Sequence, residues 1–269
     1  MHTFSFMADS NQQSFISHLE ALRKHLIRSI VAVLALSITA FIYKDIVFDL
    51  IILGPTRQDF WTYEMFCRLS NLLGLGDALC IGKTIDFKLV NITMSGQFTM
   101  HLFISLIAGV VAGFPYVFWE FWRFVKEGLT PEEIKFAQGI VFWGSVLFLL
   151  GILFGYYVIT PLSVQFLANY RVSEMVENTI SLQSYISSVA WITLSCGIVF
   201  LLPMFVYFLS KIGLVNASFL KHYRKHAIVV ILVIAAIITP PDVTSQILVS
   251  LPLFLLYEIS ILIAKKVNS

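Results

Sequence analysis

Residues 98–122 read FTMHLFISLIAGVVAGFPYVFWEFW. Within that stretch stand one carboxylate, Glu120, and one histidine, His101. About 20 apolar residues in a helix, rising about 1.5 Å each, cross a hydrocarbon core of about 30 Å. The stretch therefore reads as a membrane span, interrupted by Pro115, which lacks an amide donor. Five further apolar segments follow the same logic: residues 26–48, 139–159 (ending at Thr160-Pro161), 185–209, 227–238 and 247–264, the last carrying Pro252. Thr239-Pro240-Pro241-Asp242 separates the final two, because proline also restricts the residue before it. The fold expected is an all-α membrane protein with six transmembrane helices.

Composition agrees. Of 269 residues 58% are hydrophobic and 13% charged, whereas soluble domains carry about 25% charged residues. Lipid-facing helices do not need to hide such a surface. A net charge of +2 is too small to argue for nucleic acid, and the 24 Phe residues suit a lipid-facing surface. The first 17 residues lack an apolar core, so no cleavable signal peptide is expected.

The fifth segment is short. A dozen residues reach only about 18 Å. A re-entrant hairpin is one reading; crossing a locally thinned bilayer is the favoured one. Lys and Arg set the orientation. With a cytoplasmic N-terminus, 12 of the 18 basic residues fall inside, and Lys44, Arg57, Arg68, Lys83, Lys88 and Arg171 fall outside. Both termini are thus expected in the cytoplasm. The domain layout is a cytoplasmic amphipathic segment (1–25), a membrane domain (26–264) with an external loop at about 49–97 and a cytoplasmic loop at about 123–138, and a tail (265–269). The external loop holds Cys67 and Cys80. An oxidising compartment permits a disulfide there, stabilising by roughly 3 kcal/mol; two reduced thiols is the other reading. Cys196 reads as a small buried residue.

Polar residues inside spans are costly and point to function or to helix contacts. Gln97, His101 and Ser105 are spaced four apart, on one helical face. Glu120 and Glu258 lie near inner ends, where interfacial placement also accounts for them. Asp242 and Gln246 flank the start of the sixth span. On the cytoplasmic side, Thr130-Pro131-Glu132-Glu133 looks like a helix start with Glu133 at a capping-box position. Glu133 also suits a second role, a carboxylate facing an incoming guanidinium, a geometry that gives bidentate specificity. Upstream, Phe15, Leu19 and Leu22 recur at helical spacing beside Glu20, as in a helix lying on the membrane surface.

These pieces resemble one family. Residues 15–24, FISHLEALRK, resemble the TatC signature F-x-x-H-L-x-E-L-R. Residues 115–129, PYVFWEFWRFVKEGL, resemble P-x-x-x-Y-Q-x-W-x-F-x-x-P-G-L. Residues 239–246, TPPDVTSQ, resemble T-P-P-D-x-x-S-Q, followed by Leu251-Pro252 and Tyr257-Glu258. Glu133 falls on the family's loop glutamate. The resemblance implies a cup-shaped TatC-like bundle with both termini cytoplasmic, in the inner membrane. It implies a receptor for signal peptides with paired arginines. Single-span TatA/TatB-type proteins would be its partners in a multimeric complex that moves folded cargo on the proton-motive force. It further implies that Glu133, Arg123 and Phe124 form the docking surface, with Glu20, Glu127 and Glu120 nearby, and that Gln246 and Asp242 lie on the outer, concave side.

The chain departs from the pattern in three places. Ala21 stands where the family has glutamate, with Glu20 about 100° around the helix. Glu127 replaces the loop proline and adds a carboxylate. Phe200-Leu201-Leu202-Pro203 lacks the family's buried glutamate. No phosphate-binding glycine loop, catalytic Ser/His/Asp set or metal-ligand spacing is present, so neither an enzyme nor a cofactor is expected. A small-solute secondary transporter is the alternative, suited by the spans broken at Pro115, Pro203 and Pro252. An intramembrane enzyme would have only His101 as a midspan base.

Overall fold

The computed structural model describes residues 3–57, 59–72, 74, 89–128, 139–170, 173, 179–239 and 243–267, with side chains from residue 19 onward except 69 and 243–245. Glu133, Asp242 and Cys80 lie outside the described residues.

Helix α1 (Thr3–Ile42) is 40 residues long. The amphipathic segment and the first span are therefore one helix, and its apolar part, Leu19–Ile42, ends earlier than the sequence reading placed it. A π-helical turn (Asp45–Ile52) and a 3-10 turn (Gly54–Thr56) follow. Helix α2 (Trp61–Leu72) occupies what read as an external loop. Local polar contacts explain that order. Thr62 Oγ1 donates to the Tyr157 carbonyl at 2.7 Å, and Tyr63 Oη donates to the Pro55 carbonyl at 2.7 Å. Burial pushes the Tyr63 phenol up from its ordinary value, which keeps it a donor. Cys67, on the same helix, is disulfide-bonded, and Cys196 is free and buried. We propose Cys80 as the partner; non-reducing peptide mapping should yield one Cys67–Cys80 linked peptide, and a linkage between two copies through Cys67 would overturn it.

Helix α3 (Gly96–Lys126) runs unbroken through Pro115, contrary to the expected interruption. Membrane helices tolerate proline where neighbours re-satisfy the freed backbone. Helix α3 packs along α1 at very short range. A Cβ on Gly109 would sit 2.7 Å from the Ser37 nitrogen and 2.8 Å from the Val33 carbonyl. Small residues at such crossings let membrane helices approach without a hydrophobic driving force.

Helix α4 (Ile140–Phe154) passes through a π-helical turn (Gly155–Ile159) into α5 (Thr160–Asn169). The third span therefore does not stop at Thr160-Pro161: the π-helical turn directly before Pro161 lets the helix run on, a local adjustment by which membrane helices accommodate proline. Gly151 meets α6 (Leu182–Phe200) so closely that a Cβ would be 2.6 Å from the Cys196 carbonyl. Helix α7 (Leu202–Lys211), starting on Pro203, continues α6. Helices α8 (Ala217–His222), α9 (Arg224–Ile238) and α10 (Val243–Val267) complete the chain. A two-residue parallel pairing, β1 (Leu89–Val90) with β2 (Ile180–Ser181), links the segments before α3 and α6.

Among the described residues, five helical stretches are long and apolar enough to cross a membrane: Leu19–Ile42, Gly96–Lys126, Ile140–Asn169, Leu182–Lys211 and Gln246–Val267. Helix α9 has 15 residues, about 22 Å. It is tied to α10 at its first residue and again at mid-helix. Arg224 pairs with Glu258, and Gln246 Nε2 donates to the Leu232 carbonyl at 3.3 Å. The largest buried cluster joins Ile192 and Cys196 of α6, Ile231 and Ala235 of α9, and Val249, Leu253 and Tyr257 of α10. A smaller one, Trp122, Ile140 and Met204, gathers α3, α4 and α7 at the end where basic residues concentrate. Outward-facing side chains such as Val31, Ile38, Phe142 and Leu251 stay exposed, as lipid-facing positions do.

Candidate functional site

The densest set of ionisable side chains lies where α1 and α3 meet at that basic end. Glu120 is 1% exposed. Its Oε2 pairs with His25 Nδ1 from α1. Tyr116, one turn earlier on α3, donates its hydroxyl to Oε1 at 3.0 Å. Arg123, one turn later, brings a guanidinium nitrogen to 3.6 Å from the same oxygen. The other ring nitrogen of His25 lies 3.7 Å from Glu127 Oε1. Phe124 meets the His25 ring edge-on at 6.4 Å between centroids, and Arg123 sits over Trp119 at 4.9 Å.

Helical spacing produces this arrangement. Residues 116, 120, 123, 124 and 127 fall on one stripe of α3. A buried carboxylate is tolerated only when paired and hydrogen-bonded, and three side chains supply those partners. Both His25 nitrogens face carboxylates, Nδ1 in hydrogen-bond contact with Glu120 and Nε2 at 3.7 Å from Glu127. Glu120 is thus held, while Glu127 and Arg123 remain about half exposed. The set lacks a nucleophile activated by a base; its chemistry is the presentation of charge beside aromatic faces.

Neither His25 nor Tyr116 was singled out from the sequence. His25 stands in the run Arg23-Lys24-His25, just before the first apolar segment. Only the antiparallel pairing of α1 with α3 brings position 25 opposite position 120.

The other sequence candidates are scattered. Glu20 is exposed on α1, and Gln97 is exposed at the start of α3. His101 is half-buried: its Nε2–H donates to the Phe41 carbonyl at 3.1 Å, and its ring stacks on Phe41 at 4.0 Å. A carbonyl only accepts, so this nitrogen carries hydrogen, and His101 ties α1 to α3. Ser105 is buried. Each step of four residues turns about 40° beyond a full circle, which is why Gln97, His101 and Ser105 part company. Glu258 accepts from Arg224, and the adjacent Tyr257 hydroxyl donates to the Leu220 carbonyl at 2.7 Å. Among the described residues no group of His, Cys, Asp and Glu could hold a metal ion.

Beyond Pro115 a broad groove of about 980 Å³ opens among α1, α3, α4 and α6. Ile104, Ala108, Leu149, Ile152 and Val189 line it, with Arg57 and Asp59 at one rim. Gln246 is not among its lining residues; it faces α9 instead.

A profile of the family described as Sec-independent protein translocase protein (TatC) matches residues 17–252. A Sec-independent protein translocase protein TatC from Blattabacterium sp. subsp. Periplaneta americana is 40% identical, over 95% of this chain and 96% of its own length. One from Desulforapulum autotrophicum is 33% identical, over 96% of this chain and 86% of its own. Two crystal structures of the twin-arginine translocase receptor TatC superpose on the fold. One has a TM-score of 0.71 at 31% identity, covering 92% of this chain and 99% of that one. The other has a TM-score of 0.67 at 30% identity, covering 94% and 100%. The chain belongs to the TatC family of Sec-independent protein translocase proteins, as a multi-pass membrane component of the translocase rather than an enzyme.

Proposed function

We propose that the chain is the translocase subunit that recognises signal peptides bearing paired arginines. The observation that carries the reading is the acidic stripe at the end of α3. Glu127 stands half-exposed beside His25 and Phe124, and residues 129–138, which contain Glu133, follow directly in the chain. A guanidinium fork matches carboxylates in a bidentate way that an ammonium does not. Glu133 is assigned the first contact and Glu127 the second. Arg123 and Phe124 shape the surface, and Glu120 holds it from beneath. Glu20, exposed on α1, is the further carboxylate in reach of the incoming segment.

In this reading both termini are cytoplasmic, the protein resides in the inner membrane, and six helices cross it. The antiparallel pairing of α9 with α10, tied at Arg224 and at Leu232, supports a crossing α9 over a shallow re-entrant one. TatA/TatB-type single-span proteins are the partners in a multimeric complex that draws on the proton-motive force, and Gln246 and Asp242 lie near their contacts. The transporter alternative receives no support from the groove, whose walls are chiefly apolar.

A photo-reactive probe at position 133 tests the reading. It should crosslink a twin-arginine signal peptide strongly and lose that product when the pair becomes Lys-Lys. Glu133→Ala should weaken binding of the same peptide tenfold or more, about 1.4 kcal/mol. Equal crosslinking of both peptides, or unchanged export by the variant, would overturn it.

A further inference from the structure

A second cleft, about 590 Å³, opens at the same basic end, on another flank of the bundle, between α4, α7 and α10. Its walls are apolar: Ile140, Leu147, Met204, Leu256 and Ile259. Its mouth carries two lysines from different helices. Lys211 is the last residue of α7, and Lys266 lies in the last turn of α10. Trp143 and Tyr207 stand along its sides.

From these observations we infer that the cleft binds one anionic phospholipid, with its phosphate at Lys211 and Lys266 and an acyl chain against the apolar walls. The dimensions fit. From Lys211 back to Pro203 is eight residues, about 12 Å along the helix, and from Lys266 back to Leu256 is ten, about 15 Å. Half of a hydrocarbon core of about 30 Å is the same depth. The charges thus sit at headgroup level while the apolar wall reaches the middle of the bilayer. Trp and Tyr favour that interfacial depth, and basic pockets between membrane helices on the cytoplasmic side recognise anionic headgroups. A free phosphate would use the lysines alone and leave the apolar wall uncovered. The charge count places this end in the leaflet rich in anionic lipid.

The full-length protein in mild detergent, analysed by native mass spectrometry with added phosphatidylglycerol or phosphatidylcholine, tests the inference. The wild type should retain one phosphatidylglycerol at lipid concentrations where phosphatidylcholine is lost. Lys211→Gln/Lys266→Gln should bind it roughly tenfold or more weakly, in protein that circular dichroism shows to be folded in detergent alone. Ile259→Trp, which fills the cleft and keeps both charges, should also displace the lipid, whereas inorganic phosphate at equal concentration should not compete. Retention of the lipid by both variants, equal binding of phosphatidylcholine, or competition by phosphate would overturn the proposal. So would occupation of the cleft by a partner helix in the assembled complex.

Discussion

Replacing Glu120 by alanine should lower the stability of the protein by about 3 kcal/mol, the cost of leaving one member of a buried pair without its partner. The physical reason is specific to this contact. His25 is 8% exposed, and in Glu120→Ala its Nδ1 faces a small void between α1 and α3. Tyr116 loses its acceptor, and Arg123 loses the carboxylate beneath it. Thermal unfolding in detergent, followed by circular dichroism, should show the midpoint fall by several degrees. The double variant His25→Leu/Glu120→Leu separates stability from charge. A buried pair replaced by apolar groups of similar volume is often neutral, so the double variant should recover most of the loss. If each single change costs as much alone as in combination, the pair has no coupling and its assignment as the tie between α1 and α3 fails.

The second large effect belongs to Gly109. Gly109→Ala should prevent α1 and α3 from reaching their native separation, because the new Cβ would meet backbone, the Ser37 nitrogen and the Val33 carbonyl. Backbone cannot rotate away as a side chain can, so the helices must part and the His25–Glu120 contact must stretch. One turn on, Gly113→Ala meets the Leu36 side chain at 3.3 Å, which can shift by a few tenths of an ångström. The expected result is a steep loss of folded protein for Gly109→Ala, costing about 2 kcal/mol or more, against a change within about 1 kcal/mol for Gly113→Ala. Size-exclusion recovery after heating the two variants side by side checks this. Equal recovery would show that the helix crossing is looser than the structure has it.

The two effects share a cause. Glycine at 109 sets how near the helices lie, and that distance allows His25 to reach Glu120. Charge presentation at the basic end therefore depends on packing some way into the membrane. A variant at Gly109 should weaken signal-peptide binding without touching any carboxylate.

Much of the fold was legible in residues 98–122 and their counterparts, because lipid requires long apolar helices and the chain has no other way to satisfy its backbone. The four family-like blocks, in order along the chain, carried the membership. Pro115 and Thr160-Pro161 read as breaks by local propensity, but α3 runs on through Pro115 and the π-helical turn before Pro161 carries the third span onward, as membrane helices accommodate proline. What sequence determined by itself was the all-helical membrane architecture, the end of the bundle that is basic, and the carboxylates on α3. Only the tertiary structure decided that Glu120 is buried on His25, that His101 ties two helices, and that Lys211 and Lys266 share one cleft. Each of those facts depends on which residues of separate helices stand opposite one another, and helix register across a contact is fixed by side-chain packing, which no local pattern encodes.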